Sequence, residues 1–244
     1  MLDYAFITEA GEKDSNEDAV RVCLNRSLFT YGFVLADGLG GYGHGDVASR
    51  FVTDCCAAAL ENTSAIGETF IDECFDMSQS LLMQEKERTG YRSIKTTMVF
   101  LLTDGQTAQW GHIGDSRLYH FRRGKLLKRT LDHSVPQMLA LQHKIKEKDI
   151  RHHPDRNRLL RAMGEEWDEP WYEIDQRKIT VRSGDTFLLC SDGFWEWVDE
   201  KEIVSILKRN LPAFDALELM KEAVAKNGHG KGMDNYSAIL VNIV

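Results

Sequence analysis

The chain has 244 residues, 43% hydrophobic and only four of them proline; that is enough to bury one large core with no stretch of linker composition, so a single domain over 1–244 is expected. A formal charge of -8 repels polyanions at long range and argues against nucleic acid and anionic membrane as partners. Met1-Leu2-Asp3-Tyr4 shows no basic region leading into an apolar run, and no later stretch has the apolar length a bilayer requires; a cytoplasmic chain without membrane insertion is expected.

In chain order, residues 2–8, 19–24 and 28–36 are short runs rich in Val, Ile, Phe and Tyr, broken by Gly, Asn and Asp, and read as strands. After a glycine cluster at 38–45, Val47, Phe51, Val52, Cys55, Ala59 and Leu60 recur at helical spacing, and residues 66–88 continue the register as a second helix. Strand texture returns at 98–102, 106–113, 118–122 and 125–127. Asp104-Gly105 and Arg123-Gly124 stand where hairpins want glycine, which predicts one antiparallel meander. Residues 135–165 are polar, partly helical and the best candidate for a mobile insertion. Strands at 174–181 and 186–191, helices near 200–209 and 213–226, and a last strand at 236–242 complete a layered α+β pattern. Cys23, Cys55, Cys56, Cys74 and Cys190 form no CxxC pair, and several lie in apolar runs, as reduced core thiols do.

Four segments place an aspartate at the end of an apolar strand: Val34-Leu35-Ala36-Asp37-Gly38, Gly114-Asp115-Ser116-Arg117, Leu189-Cys190-Ser191-Asp192-Gly193 and Met233-Asp234-Asn235. Any one of them can be an ordinary Asp-Gly turn. Repetition changes the reading, because carboxylates gathered at several strand ends repel one another unless a cation lies among them, and hard divalent ions such as Mg²⁺ or Mn²⁺ prefer such oxygens. Asn16-Glu17-Asp18 adds an acidic pair before a strand, and alone fits a solvated loop equally well.

The order of motifs resembles the PPM (PP2C-like) phosphatase family, bacterial branch, across nearly the whole chain. It runs Gly11-Glu12-Lys13 to Asn16-Glu17-Asp18, Ala36-Asp37-Gly38-Leu39-Gly40-Gly41, Thr96-Thr97, Gly114-Asp115-Ser116-Arg117, Thr130-Leu131-Asp132-His133-Ser134, Leu189-Cys190-Ser191-Asp192-Gly193 and Asp234-Asn235. The resemblance implies a four-layer α-β-β-α sandwich of two antiparallel sheets flanked by helices, with Mn²⁺ or Mg²⁺ at one end. By the resemblance two ions would occupy the core site, with Asp37 bridging them, the Gly38 carbonyl on the first, and Asp192 and Asp234 on the second. Glu17 would hold a metal-bound water with Asp18 behind it, and Asp115 with Asp192 would form a third, weaker site. The implied reaction is hydrolysis of phosphoserine or phosphothreonine by a water bridging the metals, without a phosphoenzyme, by a monomer acting on the phosphorylated substrate of a bacterial Ser/Thr kinase. A phosphoprotein-binding regulator of the same fold and a hydrolase of small phosphomonoesters are the alternatives.

The chain departs from that pattern at several positions. Lys13 stands where the family has a phosphate-gripping arginine, keeping the charge but losing the bidentate fork. Leu39 replaces a histidine proposed as general acid in eukaryotic members, and Lys95 replaces a glycine. His133 is a substitute acid or, more simply, a hydrogen-bonded loop residue. Gly38-Leu39-Gly40-Gly41-Tyr42-Gly43 formally matches a dinucleotide fingerprint, but its helix leads into another helix rather than a parallel strand. No Cys is followed six positions later by Arg, and neither a DxD nor a GxxxxGK[ST] motif occurs, which removes covalent phosphatase and P-loop chemistry. Trp167, Trp171, Trp195 and Trp197 pack a core or its edge, or else form an interface. Residues 135–165 resemble the family's flap, in which Arg151, His152, His153 and Arg156 would contact a phosphopeptide.

Overall fold

The computed structural model describes residues 1–40, 43–91, 93–175 and 178–244. Gly41 and Tyr42 of the glycine cluster lie outside the described residues, as do two positions inside the strand expected at 174–181.

Strand β1 (Leu2–Glu9) turns Ala5 and Ile7 inward and leaves Tyr4 and Phe6 exposed. It pairs with β11 (Tyr236–Ile243), then β10 (Asp185–Cys190), β6 (Arg117–Arg122) and β7 (Lys125–Arg129), every pairing antiparallel. The second sheet orders β2 (Asp18–Asn25), β3 (Thr30–Asp37), β4 (Met98–Thr103), β5 (Thr107–Ile113) and the two-residue β8 (Glu173–Ile174), with β9 (Ile179–Thr180) also on β5. Phe33, Leu35, Leu101 and Trp110 from one sheet meet Leu118, Phe187 and Ile239 from the other. Helices α1 (Gly45–Asn62) and α2 (Phe70–Thr89) cover the outer face of the second sheet, and α5 (Glu200–Leu207) and α6 (Ala213–Gly228) cover the first. The result is the expected α-β-β-α sandwich.

The expected single meander is corrected: β4–β5 and β6–β7 are hairpins of different sheets. Strands β5 and β6 are buried nearly throughout, so neither has the polar alternation that would assign it to a sheet. Gly114, at φ +95°, turns the chain between them; a Cβ there would stand 2.5 Å from Thr97. The helix expected from 66 starts at Phe70. Helix α1 is closed at its C-terminus by Asn25, whose Nδ2 donates to the Leu60 and Thr63 carbonyls, and the chain must leave the helix there. A one-turn helix, α4 (Asp192–Trp195), directly follows β10 and was not anticipated.

Within 135–165 lie α3 (Val135–Leu141), with the Ser134 hydroxyl as its N-cap, and a single 3₁₀ turn at Glu147–Asp149. The segment is tied down at both ends: Leu160 N–H donates to the His133 carbonyl, and the Thr96 and Met163 backbones bond each other.

Candidate active site

The carboxylates arrive at one end of the sandwich because strands that run antiparallel within each sheet start and stop there. Asp37 ends β3 directly opposite Asp18, which begins β2. Asp192 opens α4 just beyond β10, Asp234 precedes β11, and Asp115 sits in the crossover from β5 to β6. Thr96 and Thr97 hold the backbone of Asp37: its carbonyl accepts from the Thr97 N–H and the Thr96 hydroxyl, both at 2.8 Å, and its N–H donates to Thr97 Oγ1 at 2.9 Å. The Thr97 and Ser116 hydroxyls lie 2.7 Å apart, which couples this strand end to the Asp115 crossover.

Glycine is required where the loop after Asp37 closes on its neighbours. A Cβ on Gly38 would lie 2.2 Å from the Gly45 carbonyl oxygen, and one on Gly40 would lie 1.6 Å from Oε2 of Glu17. Every neighbour of β3 is antiparallel, so a dinucleotide-binding reading of this glycine run fails on topology.

A cavity of about 480 Å³ is lined by Lys13, Glu17, Asp37, Gly38, Asp115, Asp192 and Asp234, with Asn157 and Leu159 reaching it from the 135–165 segment. Asp18 lies behind it, buried, its Oδ2 accepting from the Ser191 hydroxyl at 2.8 Å while Oδ1 has no partner. Burial, reinforced by Asp192 and Asp234, pushes Asp18 up to about 7, and burial with Asp234 pushes Asp192 up to about 6. Asp37 is raised well above the carboxylate range by burial and by Asp18, Asp192 and Asp115, and Asp115 by burial and Asp192. Glu17 is raised by burial and by Asp46 and Asp234, against the opposing effect of Lys13. Lys13 is the one cation among the described residues of this wall, with Nζ 3.0 Å from Asp234 Oδ1. Carboxylates pushed toward their protonated forms by burial and by one another, together with an orphaned buried oxygen, are a donor set that fits hard divalent cations.

Other groups near the cavity serve structure. Arg117 is buried with both oxygens of Asp132 on its Nε (2.8 Å) and Nη2 (2.6 Å), and its guanidinium lies 3.5 Å from the centroid of the Trp195 ring. Trp195 in turn donates to the Asp115 carbonyl at 2.9 Å. His133 is buried: its backbone N–H donates to the Gly114 carbonyl and its Nδ1 accepts the Gly114 N–H, the hydrogen-bonded loop role rather than an acid facing the cavity. His112, His133 and Glu173 bring ligand atoms within 4.8 Å of one another. However, the two imidazoles stack at 4.7 Å, His112 Nε2 is engaged by the Leu131 carbonyl and His133 Nδ1 by Gly114, so their lone pairs do not converge on one ion. Lys95 forms an ion pair with Glu165 while its carbonyl accepts the Leu39 N–H. Trp195 belongs to the core and Trp167 and Trp171 pack against the α1–α2 layer.

The cations expected to meet a phosphopeptide are already partnered. Arg151 binds Glu200 and the Val198 carbonyl, and Arg156 binds Glu196 at 2.7 Å. His153 Nδ1 accepts the Asp155 N–H, and His152 lies 6.3 Å from the Trp197 ring centroid. The Arg117–Asp132–Trp195 clamp and the anchoring roles of Glu12 and Asn235 escape a sequence reading, because each depends on a partner between 15 and more than 200 positions away; Glu12, Arg117, Asp132 and Asn235 are visible only as motif members.

The family model described as Protein phosphatase 2C matches residues 9–227. The chain is 28% identical to "Protein phosphatase PhpP" of Streptococcus pneumoniae over 99% of this chain and 98% of that one. It is 30% identical to "Serine/threonine phosphatase stp" of Listeria welshimeri over 85% and 82%. Among solved structures, serine/threonine phosphatase Stp1 from Staphylococcus aureus superposes with a TM-score of 0.88 at 28% identity, covering 100% of this chain and 96% of that one. The catalytic domain of the phosphatase PstP in complex with two manganese ions does so with 0.82 at 26% identity, covering 99% and 97%.

Proposed function

This chain belongs to the protein phosphatase 2C family, and we propose that it is a metal-dependent phosphatase removing phosphate from phosphoserine and phosphothreonine in a cytoplasmic protein, opposing a bacterial Ser/Thr kinase as a monomer. The observation that carries this reading is the cavity in which Glu17, Asp37, Asp115, Asp192 and Asp234 converge around a single lysine.

Asp37 and the Gly38 carbonyl would hold one ion and Asp37, Asp192 and Asp234 a second, with Glu17 holding a coordinated water and Asp115 serving a third site beside Asp192. Two Mn²⁺ or Mg²⁺ ions supply a nucleophilic water near neutral pH and neutralise charge on the phosphoryl oxygens. The chain contributes geometry and charge. Thr96 and Thr97 keep Asp37 from shifting, and Asp18 backs the site from a buried position. Lys13, at the rim, offers a point charge to a phosphate oxygen without an arginine's fixed fork. Leu39 brings no proton, so the leaving alkoxide takes its proton from water or from another group of the cavity. Among the described residues, no helix is long and apolar enough to cross a membrane.

The test is turnover of a phosphothreonine peptide and of p-nitrophenyl phosphate with Mn²⁺, with Mg²⁺ and with EDTA. Metal-dependent hydrolysis that EDTA abolishes and Asp37→Asn removes is expected, with the peptide preferred over the small ester. A folded, Mn²⁺-binding protein that turns over neither substrate would instead be a phosphoprotein-binding relative, and preference for the small ester would make it a phosphomonoesterase.

A further inference from the structure

Two loops meet beside the cavity. Residues 10–17 carry Lys13 and Glu17, and residues 229–235, between α6 and β11, carry Asp234. The second loop has φ +74° at Gly230 and +75° at Gly232, an alternation that turns successive N–H groups to one side and makes a concavity for an anion. The carboxylate of Glu12 fills it. The Gly230 N–H donates to Oε1 at 2.5 Å, and the Gly232 and Met233 N–H groups donate to Oε2 at 2.8 and 3.2 Å. The Glu12 N–H returns a bond to the Met233 carbonyl at 2.9 Å. These donors, Gly230 first, hold the Glu12 carboxyl below its ordinary range.

Asn235 fastens the same two loops in the opposite direction. Its Nδ2 donates to the Ala10 and Ser15 carbonyls, and its Oδ1 accepts the Glu17 N–H, all at 2.8 Å. Asp234 therefore lies between two fasteners. The backbones are in contact at this point, since a Cβ on Gly11 would stand 2.1 Å from the Asp234 carbonyl oxygen.

We propose that Glu12 is a positioning residue whose carboxylate locks the 229–233 loop and so presents Asp234 to the cavity beside Lys13. The inference rests on the phosphatase reading, through Asp234 as a metal ligand. Without three charge-assisted hydrogen bonds, two glycines with nothing within 4 Å of a Cβ position are free to leave their left-handed conformation. The entropy of ordering them then falls on the metal-binding step. Glu12→Gln is the sharp perturbation: it keeps the shape, but its one remaining carbonyl oxygen cannot serve all three donors, and its amide N–H groups face them.

The experiment titrates the full, EDTA-stripped chain with Mn²⁺ by calorimetry and follows amide hydrogen exchange over 229–235. For Glu12→Gln, Mn²⁺ affinity at one site falls by about tenfold or more, the size expected when a support behind a metal ligand is lost. Exchange at Gly230, Gly232 and Met233 accelerates, and turnover recovers when Mn²⁺ is raised to saturation. Gly232→Ala strains the same loop through its φ without a clash, and the same loss of affinity is expected. A merely structural role would lower the melting temperature and leave Mn²⁺ affinity alone. Wild-type affinity in both variants overturns the proposal, and so does unchanged exchange. If Glu12→Gln fails to fold, Gly232→Ala decides. A wild-type chain that binds no Mn²⁺ would overturn the phosphatase reading, while the exchange rates would still decide whether Glu12 holds the loop.

Discussion

Replacing Asp192 by asparagine is expected to stabilise the metal-free protein while removing its activity. In the folded chain burial and Asp234 raise the Asp192 carboxyl from 3.8 to about 6, so the folded state holds its proton more tightly than the unfolded one. Below about pH 4 both states are protonated and the shift has no effect; as pH rises the unfolded chain ionises first and folding loses stability, until the deficit becomes constant above about pH 6. At roughly 1.4 kcal/mol per pH unit the deficit is about 3 kcal/mol, and water at the open side of the cavity reduces it to about 2. Asparagine keeps an acceptor oxygen and carries no charge. In EDTA at pH 8 its melting temperature is expected to exceed that of wild type by about 4–8 °C for a chain of this size, with the difference vanishing near pH 4. In saturating Mn²⁺ the order reverses, because a ligand that binds only the folded state stabilises the variant that binds it better. Scanning calorimetry over pH 4–8, with and without Mn²⁺, makes the measurement. An asparagine variant no more stable than wild type at pH 8 in EDTA would refute the claim that burying the Asp192 charge beside Asp234 destabilises the metal-free site.

Two further substitutions test the walls of the cavity. Gly40→Ala places a methyl where Oε2 of Glu17 now lies, forcing that carboxylate outward; Mn²⁺-dependent turnover is expected to fall by about tenfold with little change in melting temperature, and unchanged turnover would place Glu17 outside the chemistry. Arg117→Ala leaves the buried Asp132 with Arg129 as its remaining cationic partner at 3.1 Å and should cost about 3–5 kcal/mol in urea unfolding, a loss that Arg117→Lys repairs only in part because lysine cannot make the bidentate pair.

Asp37, Asp115 and Asp192 were legible because their pattern is local, an apolar strand and then Asp; Asp234, expected at a strand end as well, instead stands in the loop ahead of β11 and reaches the site from the other direction. The sandwich was legible by resemblance, and nearly every strand and helix from its own periodicity. What escaped depends on partners that local pattern does not name. Strands β5 and β6 follow each other with only Gly114-Asp115-Ser116 between them and join different sheets, and both are buried nearly throughout, polar residues such as Gln109, His112, Arg117 and His120 included, so their residue pattern does not show the change of sheet. The end of α1 is closed by Asn25, far upstream, which no local pattern names. Glu12 looks like one more surface acid until the loop 220 residues later folds its N–H groups around it.

The same long-range pairing bears on how phosphate is recognised. A sequence reading assigns Arg151 and Arg156 to the phosphopeptide as cations of a flap, yet the structure gives each an acidic partner, Glu200 and Glu196. Recruiting Arg156 to a substrate would strand the buried carboxylate of Glu196, and recruiting Arg151 would leave half-buried Glu200 with only the Tyr119 hydroxyl at 3.1 Å and Arg117 at 4.0 Å; such an exchange returns little net energy. Among the described residues lining the cavity the positive charge then comes from Lys13 alone, itself bound to Asp234. A doubly charged phosphate facing a wall of carboxylates is repelled in the metal-free chain. On the proposed reading, phosphate affinity would arise from the same ions that neutralise this wall, and metal binding and substrate binding there are expected to be thermodynamically linked, each strengthening the other by the same factor.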